Sequence, residues 1–223
     1  MCCLFGFVDY AGSLSVKQRN RLIRELSIAA EVRGTDATGI AYNTSRGLQV
    51  YKRPLAAHRL HLRIPAEARA VMGHTRMTTQ GSAKKNYNNH PFFGHVKEES
   101  FALAHNGVLW NDLELRHAKH LPRTKVQTDS YIAVQLLEQK KSLDFDSLRY
   151  MAEQVEGSFS FTVLDEQNAL WIVKGDSPLS IAYFPECGVY VYASTAEILN
   201  RALTRYGRQL GCRKTVEVEM GEL

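Results

Sequence analysis

Along the chain, short apolar runs take turns with stretches in which apolar residues recur every three or four positions, predicting strands and helices in succession. Leu4 to Asp9 is short and apolar and is closed by Tyr10-Ala11-Gly12. It reads as a buried first strand that carries the start of the chain into the fold. After Ser13 or Ser15 as a cap, Val16, Leu22, Ile23, Leu26, Ala29, Ala30 and Val32 fall at helical steps, and the helix ends near Gly34. Gly39 to Asn43 and Leu48 to Arg53, joined by Thr44-Ser45-Arg46-Gly47, read as a hairpin. Ala70 to Thr75 and Phe101 to His105 read as further strands. Between them Thr78 to Gly94 has no period and is rich in Gly, Asn, Ser and Lys, which predicts a long surface loop of the kind that carries function.

Asn111 to His120, Thr128 to Lys140 and Ser147 to Val155 are helical in pattern. Ser158 to Asp165, Leu170 to Lys174, Leu179 to Tyr183 and Val189 to Ala193 are strand-like, and a helix over Ala196 to Tyr206 and a strand at Thr215 to Val218 close the chain. Strands in runs with helices grouped between them predict an α+β layered sandwich, not an alternating parallel sheet. No linker, low-complexity tract or repeat divides the 223 residues, so residues 1–223 are expected to form a single domain.

The charge balance of +5 could favour an anionic partner, but basic residues are scattered among acidic ones without interleaved aromatics. A solvated mixed surface is expected, with no nucleic-acid partner. Met1 to Asp9 has no basic leader and too short an apolar run for a signal peptide or membrane span, which points to the cytoplasm. Cys2, Cys3, Cys187 and Cys212 form no CxxC pair and read as reduced thiols. His58 with His61 and His117 with His120 have ligand-like spacing but lack nearby thiols or clustered carboxylates, so they read as surface residues, and neither metal nor cofactor is expected.

Cys2 changes the picture. Removal of Met1 would leave one residue carrying both a thiol and an α-amine, titrating near about 8.5 and about 8, so that the amine can take the thiol proton. A second-position cysteine in isolation is more often a small packed residue. Here it precedes Arg33-Gly34-Thr35-Asp36-Ala37-Thr38-Gly39-Ile40-Ala41, Gly73-His74-Thr75-Arg76-Met77-Thr78-Thr79-Gln80-Gly81, Asn89-His90-Pro91, Ala104-His105-Asn106-Gly107-Val108 and Gln127-Thr128-Asp129-Ser130. With Gly175-Asp176-Ser177-Pro178-Leu179 as a later segment, this series resembles the class II glutamine amidotransferases over nearly the whole chain. The likeness is to the N-terminal-nucleophile glutaminase domains of glucosamine-6-phosphate synthase and glutamine phosphoribosylpyrophosphate amidotransferase.

The resemblance implies a four-layer α/β/β/α sandwich and attack by Cys2 on the side-chain amide of free L-glutamine. Ammonia leaves, and the γ-glutamyl thioester is hydrolysed to glutamate. By the same resemblance Arg76 holds the substrate α-carboxylate, with Thr79 as its hydroxyl neighbour, and Asp129 pairs with the α-ammonium. Asp129 also suits a helix cap before Ser130, and both roles can hold. Asn106, through its side-chain amide, and Gly107, through its backbone N–H, resemble the oxyanion hole; on its own, Asn-Gly would read as a hairpin turn.

Two residues depart from the family pattern: Cys3 stands where glycine is common, and Met77 where the sugar-phosphate synthases commonly have tryptophan. Cys3 either crowds the backbone beside the nucleophile or is a second oxidisable thiol. The chain stops near Val218 to Leu223, where the family's glutaminase domain usually ends, so ammonia is expected to go to a separate or missing synthase or transferase domain. An oligomer is compatible with the sequence. An N-terminal-nucleophile amidase acting on another amide, and a glutamine-sensing domain without turnover, are the competing readings.

Overall fold

The computed structural model describes residues 2–97, 99–204 and 206–223, with Arg208 described in its backbone alone. The expected removal of Met1 therefore concerns a residue outside those described. The first half runs β1 (Cys3–Asp9), α1 (Val16–Ala29), β2 (Ala37–Thr44), β3 (Gly47–Arg53), β4 (Ala70–Arg76), β5 (Phe92–Val96) and β6 (Glu99–Leu109). The second half runs α2 (Asp112–Ala118), α3 (Tyr131–Lys140), α4 (Phe145–Gln154), β7 (Gly157–Asp165), β8 (Leu170–Lys174), β9 (Ser180–Phe184), β10 (Val189–Ala193), α5 (Ala196–Leu203) and β11 (Lys214–Val216).

The strands form two antiparallel sheets, ordered β11-β9-β10-β1-β4-β2-β3 and β5-β6-β7-β8. Side-chain alternation sorts their residues into three cores. Phe5, Phe7 and Val191 meet Leu22, Ile23 and Leu26 of α1 and Leu199 of α5 on the outer face of the larger sheet. Leu4, Ala41, Met72 and Tyr192 meet Ala102, Ala104 and Leu164 between the sheets. Leu103, Phe161 and Val163 meet Ile132, Leu136, Leu148 and Met151 of α3 and α4 on the far side. Three cores between four layers make the α/β/β/α sandwich that the resemblance implied.

The chain turns from β1 into α1 around one carboxylate. Asp9 accepts the N–H groups of Ser13 (2.9 Å) and Leu14 (3.1 Å) and pairs with the Arg19 guanidinium at 3.2 Å. Ser15 then caps α1 reciprocally with Gln18, the first of its two expected positions being unused. Among the described residues, no helix is long and apolar enough to cross a membrane.

Several expectations are corrected. Phe92–Val96 is a strand, with Phe92, Gly94 and Val96 facing inward, so the loop before it ends at Pro91. Nor does that loop simply run over the surface: Asn88, Asn89, His90 and Pro91 are buried. The helix expected from Thr128 begins at Tyr131, and β6 continues through Asn106 and Gly107, because β7 pairs with both and removes the need for a turn there. Phe5 is fully buried at the centre of the larger sheet. Phe5→Ala is expected to lower stability by about 3–5 kcal/mol in denaturant unfolding monitored by circular dichroism.

Candidate active site

Strand alternation alone assembles the site. Leu4 faces the space between the sheets, so Cys2 shares that face at the start of β1. On β4 the same face carries Ala70, Met72, His74 and Arg76, and on β6 it carries Ala102, Ala104 and Asn106. Cys3 pairs with Thr75, and one further step of this antiparallel register brings Cys2 level with Arg76. The two sheets are tied here by His74 Nε2, which donates to the His105 carbonyl at 3.0 Å.

Residues of the Arg33–Ala41 motif, which had no assigned role, hold the start of β1 at Cys2. Arg33 Nε donates to the Cys2 carbonyl at 2.8 Å. A Cβ on Gly34 would lie 2.4 Å from the Arg76 carbonyl carbon, so glycine is what lets this turn lie against the end of β4. Asp36 N–H donates to the Arg76 carbonyl (3.0 Å), and its carboxylate accepts from Thr78 N–H (2.8 Å). The Cys2 thiol donates to the Met77 carbonyl at 3.6 Å. Burial pushes this thiol up, against the pull of the Arg76 charge, so it is protonated at neutral pH. Cys3 is fully buried among Phe5 and Phe7, and burial pushes its thiol up to about 11. It is packed in the outer core with its thiol donating to the Leu4 carbonyl at 3.2 Å, which speaks against an exposed oxidisable thiol.

Arg76 is buried at the mouth of the inter-sheet layer. Its Nη1 donates to Asn89 Oδ1 (2.7 Å), and its Nη2 to the carbonyls of Gln80 and Gly81. Burial presses against its charge, while Cys2, Asp36 and Asp129 favour it. Asp129 Oδ2 accepts from Leu109 N–H at 2.7 Å, and Asp129 N–H donates to Gln80 Oε1 at 2.9 Å. Gln80 thus bridges the guanidinium and the segment that carries the carboxylate. The Asp129 side chain makes no cap bond to α3, whose cap position is Ser130, so the capping role expected for it is not observed. Thr79 lies exposed on the loop between Arg76 and Gln80. Gln80 and Asn89 lay within motifs quoted from the sequence, but the contact that singles them out joins separate segments.

Asn106 is buried, and neither its side-chain oxygen nor its nitrogen finds a hydrogen-bond partner. An amide buried in that way costs on the order of 1–3 kcal/mol. Gly107 has φ +146°, and a Cβ there would lie 1.9 Å from the Ser158 carbonyl oxygen, so only glycine keeps β6 paired to β7 at this point. The histidines of the two pairs spaced like ligands, His58 with His61 and His117 with His120, are all exposed.

Three other histidines line the buried side of the site. The His74 and His90 rings lie 4.2 Å apart, and His105 hydrogen-bonds Ser130 Oγ through Nδ1 at 2.8 Å. Burial holds His74 down to about 3 and lowers His90 and His105. The unfolded chain binds protons at these rings below about pH 6.5, and the folded chain does so only at lower pH. Their contribution is therefore complete above about pH 6.5 and is lost as pH falls below it. His90 has no partner for either ring nitrogen. In denaturant melts between pH 6 and 4, His90→Phe is expected to flatten the fall in stability by up to about 1.4 kcal/mol per pH unit.

Two facing sheets between helical layers, with a cysteine at the head of the central strand, are the architecture of the N-terminal-nucleophile hydrolases. The solved structure of glutamine phosphoribosylpyrophosphate amidotransferase from B. subtilis superimposes with a TM-score of 0.69 at 20% identity, covering 96% of this chain and 44% of that one. A family profile described as a glutamine amidotransferase domain matches residues 74–201. The glutamine–fructose-6-phosphate aminotransferase (isomerizing) of Bacillus licheniformis is 32% identical over 184 residues, 79% of this chain and 30% of that protein. Its counterpart from Thermus thermophilus is 33% identical over 175 residues, 75% of this chain and 27% of that protein. The chain belongs to the class II glutamine amidotransferase family, and it spans about 30% of the length of these relatives.

Proposed function

We propose that this domain hydrolyses the side-chain amide of free L-glutamine through a Cys2 thioester and releases ammonia for an acceptor domain or partner. The observation that carries this reading is the unpartnered, buried Asn106 amide on the same inter-sheet face as Cys2. Such a donor, held beside the Gly107 N–H, suits an oxygen that turns negative when the thiol sulfur adds to the amide carbon.

The steps follow from the groups at hand. The Cys2 α-amine, once Met1 is removed, takes the thiol proton and passes it to the departing nitrogen, which leaves as ammonia. Water then adds to the thioester carbonyl under the same base, and glutamate leaves with the thiol restored. Arg76 offers five N–H donors; Nη1 donates to Asn89 and Nη2 to the carbonyls of Gln80 and Gly81, no acid pairs with it in the hydrogen bonds of the described residues, and its guanidinium suits a carboxylate. Asp129 Oδ1, which among the described residues accepts from Ser130 Oγ alone at 3.4 Å, suits an ammonium. Thr79 borders this clamp through the loop.

Ammonia transfer is supported by the surface beside the site. Val108, Trp110 and Leu113 are exposed at the end of β6 and the start of α2, and Met77 is exposed just past the end of β4, apolar side chains of a kind that a docked partner would cover. An acceptor domain seated there would shield ammonia from water.

The first test is intact mass after treatment with a glutamine-like γ-electrophile. A single adduct on wild type, blocked by glutamine and missing in Cys2→Ala, is expected; a folded wild type that takes no label would overturn the reading. Bound glutamine with no glutamate formed would instead favour a sensing domain. Asn106→Ala is expected to lower kcat about a hundredfold or more with KM little changed, since its donor matters most to the developing oxyanion. Asp129→Asn is expected to raise KM for glutamine and leave the labelling of Cys2 by iodoacetamide unaltered.

A further inference from the structure

Lys52, on the edge strand of the larger sheet, carries an ammonium that turns away from solvent and against the loop behind Arg76. Its Nζ donates to the carbonyls of Asn89 (2.5 Å) and Pro91 (2.9 Å), on either side of His90. It also lies 5.0 Å from the centre of the Phe92 ring. The Lys52 carbonyl accepts from Asn86 Nδ2 at 2.9 Å, so one residue grips the turn at both ends. Asn89, held at its backbone, is fully buried and presents Oδ1 to Arg76 Nη1, while its Nδ2 is spent on Ala83 O (2.9 Å) and Asn86 Oδ1 (3.2 Å).

These contacts form one chain from Lys52 through Asn89 to the guanidinium. Among the described residues, no carboxylate appears among the groups that act on Lys52. Burial, and then the charge of Arg76, pull its ammonium down to about 8, and His74 and His90 face it from the buried side. A buried cation is costly, and an apolar side chain of similar length would serve stability alone at least as well. Two carbonyl acceptors at the base of an arginine's anchor are instead a way to set that arginine's orientation.

We propose that Lys52 is a positioning residue for glutamine selection: it locks the Asn86–Pro91 turn so that Asn89 aims the Arg76 guanidinium at the substrate α-carboxylate. The inference rests on the glutaminase reading above. It implies that Lys52 acts on substrates through their α-groups and leaves the chemistry at Cys2 alone.

The test compares wild type, Lys52→Met and Lys52→Arg in the full chain by three measurements. These are glutamine turnover, the rate of Cys2 labelling by the glutamine-like γ-electrophile, and the rate of labelling by iodoacetamide, which has no α-carboxylate. Lys52→Met is expected to raise KM for glutamine on the order of tenfold with kcat within about twofold, and to slow the γ-electrophile while iodoacetamide is unaffected. Lys52→Arg, which can reach both carbonyls with its fork, is expected to recover most of the loss. If Lys52→Met leaves KM and γ-electrophile labelling unchanged, or slows both labels in parallel, the positioning role is overturned. Wild type that takes iodoacetamide but neither turns over glutamine nor takes the γ-electrophile would instead sink the glutaminase reading, and this inference with it.

Discussion

The hydrogen bond from His74 Nε2 to the His105 carbonyl, at 3.0 Å, joins the two sheets at the place where the site is assembled. Two residues beyond His74 on the same strand face stands Arg76, and one residue beyond His105 stands Asn106. The spacing between Arg76 on one sheet and Asn106 on the other is therefore set by this contact and by the cores above and below it. The bond requires a proton on Nε2, because a carbonyl only accepts. Burial outweighs the pull of this bond toward the charged ring and holds His74 far below its ordinary range, so the neutral ring with its proton on Nε2 makes it.

Polar groups gather around this contact at a density that a core built for stability alone would avoid. Arg76, His74, His90, His105, Asn89 and Asn106 are all buried, and Asn106 and His90 are without side-chain partners. Each such group costs free energy on folding. What offsets the cost is apolar: the two outer cores and the inter-sheet layer deeper in from the site, where Leu4, Met72, Ala104 and Leu164 close on one another. The site occupies the open end of that layer, where the strands begin to diverge from their apolar packing. The loop from Met77 to Pro91 then seals the clamp from the side through Gln80, Asn88 and Asn89.

Most elements were legible from the sequence because they follow periodicity. β1, the β2–β3 hairpin, β4, β7, β8 and β10 fall within a residue or three of where the apolar spacing puts them, and α1 begins where expected but gives way after Ala29 to a 3-10 turn over Ala30–Arg33. The misses have a common cause. β5 is five residues long, and its short inward-facing alternation is indistinct beside a glycine- and asparagine-rich loop, so only pairing with β6 identifies it. Asn106-Gly107 has the composition of a turn, yet β7 pairs across it and keeps it straight. The Asp129 carboxylate takes its hydrogen bond from Leu109 of a distant strand in place of the helix beside it.

The sequence by itself determined which residue types are present in which order: a cysteine heading an apolar strand, an arginine closing another, Asn-Gly within a third, and an aspartate before a helix. Local rules and family likeness reach that far because they depend on neighbours along the chain. Only the tertiary structure decided that Arg33 holds the Cys2 carbonyl, that Gln80 joins Arg76 to Asp129, and that Lys52 stands behind Asn89. Those contacts link residues from about 30 to nearly 50 positions apart, across strands and layers whose approach is set by packing and burial, and no local spacing encodes them.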